Sequence, residues 1–195
     1  MKKGNRFTIY TKVMLTAATL ALFSMPMVAA QQKSSNRDAY DKGAIHSRLA
    51  EKVRHELVML PFYSVFDNLE FSIEEPDTVV LSGQVVRPTL KSGAENVVRR
   101  VEGVGKVINQ IEVLPLSPYD NRLRLATYRA IFSWPGLDRY TLQAISPIHI
   151  IVKNGNITLT GIVASPMDRQ IAGIAANGVP GAFRVVNELE VEHKA

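Results

Sequence analysis

Leu159-Thr160-Gly161-Ile162-Val163, with the residues that follow as far as Glu192, decides how this chain is read, because the stretch occurs twice. Moved back by 78 positions, it falls on Leu81-Ser82-Gly83-Gln84-Val85 and their sequel. In that register Pro166 meets Pro88, Arg169 meets Lys91, Ala172 meets Ala94, Val179 meets Val101 and Gly181 meets Gly103. Val185 then meets Val107, Asn187 meets Asn109, and Glu190-Val191 meets Glu112-Val113. A register held without a gap along the whole stretch marks an internal repeat.

Working outward from the first copy, Thr78 to Val85 reads as a strand, and Leu69, Phe71 and Ile73 alternate with polar residues as its partner across the turn Glu74-Glu75-Pro76-Asp77. Upstream, Ile45, Leu49, Val53, Leu57 and Leu60 fall at spacings of four and three, one stripe of a helix that Pro61 ends. Downstream, Pro88 suits the first turn of a helix whose buried stripe is Leu90, Ala94, Val97, Val98 and Val101. Gly103-Val104-Gly105 stops it, and Val107, Asn109, Ile111 and Val113 alternate along a last strand. Gly83 within a strand marks a bulge or a close backbone approach, here expected where a helix crosses nearby. With Gly103, Gly161 and Gly181 it is assigned a structural role.

The second copy repeats the order. Asp120 or Asn121 caps a helix running to Trp134, ended by Pro135-Gly136. Ile148, Ile150 and Val152 lead into Lys153-Asn154-Gly155-Asn156, whose Asn-Gly pair is a good two-residue hairpin turn. Ile157 to Val163 is the return strand, Ser165-Pro166-Met167-Asp168 opens a helix with capping spacing, and Val185, Asn187, Leu189 and Val191 alternate at the end. Each strand-helix-strand connection is long enough for a parallel crossover. The expected fold class is α+β: two repeated small domains, each helix-strand-strand-helix-strand, with a three-stranded mixed sheet packed on two helices. The first spans 45–114 and the second 120–193, joined by a short proline-bearing linker over 115–119.

The first 30 residues stand apart. Lys2, Lys3, Arg6 and Lys12 give a basic start, Val13 to Phe23 is almost wholly apolar, and Val28-Ala29-Ala30 offers small residues for cleavage before Gln31. This pattern predicts a cleaved signal peptide over 1–30, since the apolar run is about half the ~20 residues that span a bilayer. Residues 31–44 are polar without an apolar period and are expected to be a disordered lead-in. The chain carries 23 basic and 18 acidic side chains, but the signal stretch holds four basics and no acid, leaving 19 against 18. Near-neutral charge argues against nucleic acid as a partner. Residues 47–115 carry eight basics and ten acids, residues 119–195 eight and six, so the second copy is the more basic. The absence of cysteine excludes disulfides, thiolate metal sites, cysteine nucleophiles and a lipoprotein anchor.

Two copies that each bear L-[ST]-G-x-V, a proline-started helix and V-x-G-[VA]-x-x-V-[IV]-N-x-[IL]-E-V, in an exported chain, resemble the tandem BON-domain proteins of bacterial envelopes. The resemblance covers roughly residues 45–193 and implies a periplasmic binding module rather than an enzyme. It further implies phospholipid binding and a part in envelope integrity or osmotic stress tolerance. The chain departs from the pattern at Pro76-Asp77, where Asn-Gly is common, and at Pro180-Gly181-Ala182, where a Gly-Val pair is usual.

A search for chemistry finds little. His46, His55, His149 and His193 share no metal-ligand spacing, so neither metal nor cofactor is expected. Gly103-Val104-Gly105 lacks a third glycine and follows a helix, which reads as a helix stop rather than a phosphate loop. No Gly-x-Ser-x-Gly is present, and Glu74-Glu75 and Glu190 with Glu192 read as solvated charge. Neither a catalytic residue nor a small-molecule substrate is expected.

The informative element is the helix that opens the second copy. Leu123, Thr127, Ala130, Ile131 and Trp134 share one side, expected to pack on the sheet. The opposite side bears Leu125, Tyr128 and Phe132, flanked by Arg122 and Arg129, where a shift of 74 finds Glu51, Arg54, Val58, Arg48 and His55 in the first copy. A helix with two apolar stripes has two things to pack against. One reading docks the second stripe on the first domain. The other sets Arg122, Leu125, Tyr128, Arg129, Phe132 and Trp134 against anionic phospholipid, rings at the headgroups and arginines on phosphate. Trp134 suits both core and interface. A periplasmic chaperone or protein-interaction module, or a domain of a larger secretion or envelope assembly, is the alternative function, with envelope proteins as partners.

Overall fold

A helix, α1, covers 45–58 and lays Leu49, Val53 and Leu57 into the first core, with Leu60 just beyond its end. Ile45 departs from the expected stripe: it is 61% exposed, because it stands at the start of the helix, short of the core. This is a computed structural model, describing residues 45–74, 76–143 and 145–192. The expected signal peptide and lead-in lie outside the described residues. Among the described residues no helix is long and apolar enough to cross a membrane.

Strand β1 (Asn68–Glu74) pairs antiparallel with β2 (Thr78–Val85) from Asn68 opposite Gln84 to Glu74 opposite Thr78. Helix α2 (Pro88–Val98) then crosses back, so that β3 (Lys106–Asn109) and β4 (Glu112–Val113) lie parallel to β2. Alternation sends Val79, Leu81 and Val85 of β2 and Leu69, Phe71 and Ile73 of β1 toward the two helices, where Leu90, Ala94 and Val98 close the core. Each fully buried branched aliphatic side chain contributes about 1.5–3 kcal/mol against leaving it in water.

The second copy repeats this with α3 (Pro118–Phe132), β5 (Ile148–Lys153), β6 (Asn156–Val163), α4 (Pro166–Asn177), β7 (Arg184–Asn187) and β8 (Glu190–Val191). A 3-10 turn (Asp138–Leu142) connects α3 to β5. Strand β5 is antiparallel to β6, and β7 and β8 are parallel to it. Leu123, Ile131, Ile148, Ile150, Val152, Ile157, Leu159 and Val163 form its core with Ala172 and Ala176 of α4. Asn154 and Gly155 both take positive φ, 51° and 77°, as the Asn-Gly turn requires. The two copies belong to one compact unit.

Three details differ from the sequence reading. Helix α3 starts at Pro118, inside the stretch read as linker, because the Ser117 hydroxyl accepts the Asp120 N–H at 3.1 Å and Pro118 needs no partner there. Asp120 therefore caps no helix. Its carboxylate accepts the N–H groups of Asn154 and Gly155 at 2.9 and 2.8 Å, pinning α3 to the β5–β6 turn. The last strand of each copy is broken in two without a change of register. At the break, Asn109 donates to the Lys91 carbonyl at 3.0 Å and accepts from Ile111 N at 3.1 Å; Asn187 makes the same pair of bonds with Arg169 and Leu189. The repeated asparagine thus holds a kink that drives Ile111 and Leu189 into the cores.

Gly83 and Gly161 sit opposite those breaks with φ of +106° and +116°. The close approach is not to a helix, as expected, but to the neighbouring strand: a Cβ on Gly83 would lie 2.2 Å from the Asn68 carbonyl oxygen, and one on Gly161 2.0 Å from that of Pro147. Gly103 and Gly181, at φ of +97° and +92°, turn the chain toward β3 and β7.

Candidate functional site

The outer stripe of α3 does not stay whole. Leu123, Thr127 and Ile131 are buried against the sheet as expected, but Phe132 is buried as well, at 8% exposure. Tyr128 is half-buried, its ring 4.8 Å from that of Phe132 and 6.1 Å from that of Phe66. Phe66 and Val65 come from the segment between α1 and β1 and pack against the second core. Of the two readings of this stripe, docking on the first copy holds at Tyr128, which meets Phe66, and Phe132 packs on Tyr128, so the lipid reading is corrected for these two rings. Leu125, Arg122 and Arg129 remain exposed.

Trp134 departs from the core stripe. The helix ends at Phe132 with Ser133 as its C-cap, two residues before the expected end, so the 100° rotation that would carry Trp134 inward stops. The residue is 43% exposed. Leu137 and Tyr140 take the core positions in the turn that follows, while Leu142 is 86% exposed. Arg129 stands in the last turn of α3, the end at which the helix dipole favours a cation. Arg139 donates to Asp168 at 2.6 Å and lies over the Tyr140 ring. Arg122, at the other end of α3, lies 5.9 Å from the Tyr119 ring, which stacks on the exposed Phe183.

The segment before β1 was silent in the sequence, yet it builds the junction between the copies. Asp67, 1% exposed, accepts Ser64 N and Ser64 Oγ at 3.1 and 2.6 Å and Val86 N at 2.7 Å. The turn so formed presents the Val65 carbonyl to Ile150 N at 2.7 Å, along the edge of β5. Tyr63 stacks on His149 at 5.7 Å, and Lys153 Nζ reaches Glu112 at 2.6 Å. Burial pushes the Tyr63 phenol up to about 12. Arg124, 3% exposed, donates to the Val152 carbonyl at 2.8 Å; burial lowers its pKa while Asp120 and Asp67 act to raise it. Only the aspartate immediately before β1 could have flagged this segment, and aspartate there is ordinary turn chemistry.

Acid is expected to act on the junction through His149. Burial holds its imidazole below the ordinary 6.5, against the opposite pull of the Asp67 and Ser64 backbone and the Asp67 and Glu70 carboxylates. The unfolded chain therefore takes up this proton first as pH falls. Stability is expected to drop from near pH 6.5 downward, by at most about 1.4 kcal/mol per unit, until the folded state also binds the proton. Thermal unfolding of the parent and His149→Gln between pH 7.5 and 5 measures this; the variant's midpoint should fall less steeply.

Two openings meet at the junction. One of about 970 Å³ is lined by Ala50 and Arg54 of α1, by Leu69 to Phe71 of β1, and by His149, Thr160 and Ile162 of the second sheet. The other, about 640 Å³, continues it past Glu70, Glu112, Lys153 and Thr158. Among the described residues no cluster of three or more histidine, aspartate or glutamate side chains could hold a metal.

Fold and site together define a tandem α/β module that offers surfaces and a cleft between its copies. The BON domain family model matches residues 46–115 and 137–193, and the chain belongs to that family. The family is associated with envelope and periplasmic proteins and with phospholipid binding, and is non-catalytic in general. The second match begins after the end of α3. Among curated proteins no sequence match is found. Of solved structures, the chain is similar to the C-terminal domain of CdsD, the structural protein of the type III secretion system of Chlamydia trachomatis. Identity is 12%, with 73% of this chain and 96% of that one covered at a TM-score of 0.27. A second structure of CdsD from the same organism matches at 12% identity, covering 74% and 92%, with a TM-score of 0.29.

Proposed function

We propose that the chain is a non-catalytic module of the cell envelope whose second copy rests on anionic phospholipid through the C-terminal corner of α3, rather than along the outer stripe of that helix. The exposure of Trp134 carries this reading. The matching position of the first copy is Leu60, buried in its own core, so the exposed indole belongs to the second copy alone. An indole offers an apolar body and one N–H donor, a combination suited to the headgroup layer. Leu142, in the 3-10 turn that follows, adds exposed apolar surface, and Arg129 supplies a cation for phosphate oxygens. Arg122 and Leu125 lie further along the exposed side and extend the contact. The family's association with phospholipid supports the same reading.

Flotation of the full chain with phosphatidylglycerol-containing vesicles and with pure phosphatidylcholine vesicles tests it. Binding should require the anionic lipid and weaken with salt. Trp134→Ser combined with Arg129→Ser should reduce the bound fraction at least tenfold without moving the thermal midpoint. A folded double variant that floats like the parent would sink the reading. Tyr128→Ser with Phe132→Ser cannot serve, because both rings are packed.

A further inference from the structure

We propose that the free edge of β1 receives an extended basic segment of another envelope protein, which adds to the first sheet as an extra strand. This does not rest on the lipid reading and uses a different face. β1 is the outer strand of its sheet, and its seven residues include neither proline nor lysine, two of the devices that blunt an edge.

The backbone shows which groups are on offer. N–H groups along an antiparallel strand point alternately to the partner and away from it. In the second copy Ile162 N donates to Pro147 O across the ladder, whereas Ile150 N points away and meets Val65 O. Asn68 stands beside Gly83 as Pro147 stands beside Gly161, so the same alternation turns Leu69, Phe71 and Ile73 outward in β1. The Leu69 backbone is hydrogen-bonded to Tyr63. For Phe71 and Ile73, no outward backbone partner occurs among the described residues. The edge that Val65 covers in the second sheet is thus open in the first among the described residues.

The groove of about 970 Å³ runs along this edge and dictates what fits. A seven-residue strand is about 24 Å long and presents alternate side chains to opposite faces. One set would meet Phe71, Ile73 and Ala50, and the other Glu70, Glu188 and Glu190; Arg54 and His46 also line the groove. The geometry selects a segment in which apolar residues alternate with lysine or arginine. Backbone bonds supply affinity and the alternating pockets supply specificity.

The test uses the full chain and a capped seven-residue peptide of alternating lysine and valine. Controls are its glutamate–valine counterpart and the same lysine–valine peptide N-methylated at alternate residues. Fluorescence anisotropy reads binding, and amide hydrogen exchange reads its place. The lysine–valine peptide should bind and slow exchange at Phe71 and Ile73 at least tenfold, while neither control does so. Glu70→Lys, at an exposed position that leaves the core untouched, should weaken binding at least fivefold. The proposal is overturned if the peptide does not bind, or binds without protecting those two amides. Equal binding of the N-methylated peptide, or protection of the same amides by phosphatidylglycerol vesicles instead of peptide, would also overturn it.

Discussion

Phe132→Ala should lower the stability of the chain by about 3–5 kcal/mol, the range for removing a buried phenyl ring. Phe132 is 8% exposed and packs with Tyr128 in the second core, onto which Phe66 of the first copy closes. The loss combines the transfer free energy of the ring with the cavity left behind. Urea unfolding followed by circular dichroism measures it, and the denaturant slope shows whether one transition remains. Leu125→Ala, on the same side of α3 but 44% exposed, is the control and should cost below about 1 kcal/mol. If the two variants are equally mild, the junction described for Phe66, Tyr128 and Phe132 is not present in solution.

Gly161→Ala should be of similar size, about 3 kcal/mol or more, for a different reason. At φ of +116° the new side chain meets its own backbone, a conformation close to glycine-only. Its Cβ would also stand 2.0 Å from the Pro147 carbonyl oxygen, which cannot withdraw without opening the β5–β6 ladder. Thermal unfolding of Gly161→Ala beside Gly178→Ala makes the comparison. Gly178 has an ordinary φ of −76° at the C-cap of α4, and its Cβ would meet nothing closer than 3.5 Å, so that substitution should be nearly neutral. Comparable losses at both positions would refute the strain argument. The equivalent Gly83→Ala should reproduce the larger loss in the first copy.

The elements themselves were legible because each is specified by short-range chemistry. Pro88 and Pro166 open helices, Asn154-Gly155 makes a turn, and strands alternate with a period of two, all within a few residues of chain. The repeat doubled that signal, since each copy checks the other. Even the structural glycines could be assigned, although their reason could not: the close approach involves the Asn68 and Pro147 carbonyls, which are distant in sequence.

The fate of the outer stripe of α3 was a different matter. Two apolar stripes on one helix state that two surfaces must be covered and do not state by what. Tyr128 is covered by Phe66, some sixty residues upstream in a segment held in place by Asp67, and Phe132 packs on Tyr128. Nothing periodic in residues 61–67 announces this. Trp134 shows the same limit at shorter range, where a helix ending two residues early reverses the side on which a ring emerges. Local spacing thus settled the repeated architecture and the absence of cysteine chemistry, because those follow from backbone preference and composition. Which apolar surface is shared between the copies, and which is left for a membrane or a partner, follows from long-range packing, where burial is decided by whatever arrives from elsewhere in the chain.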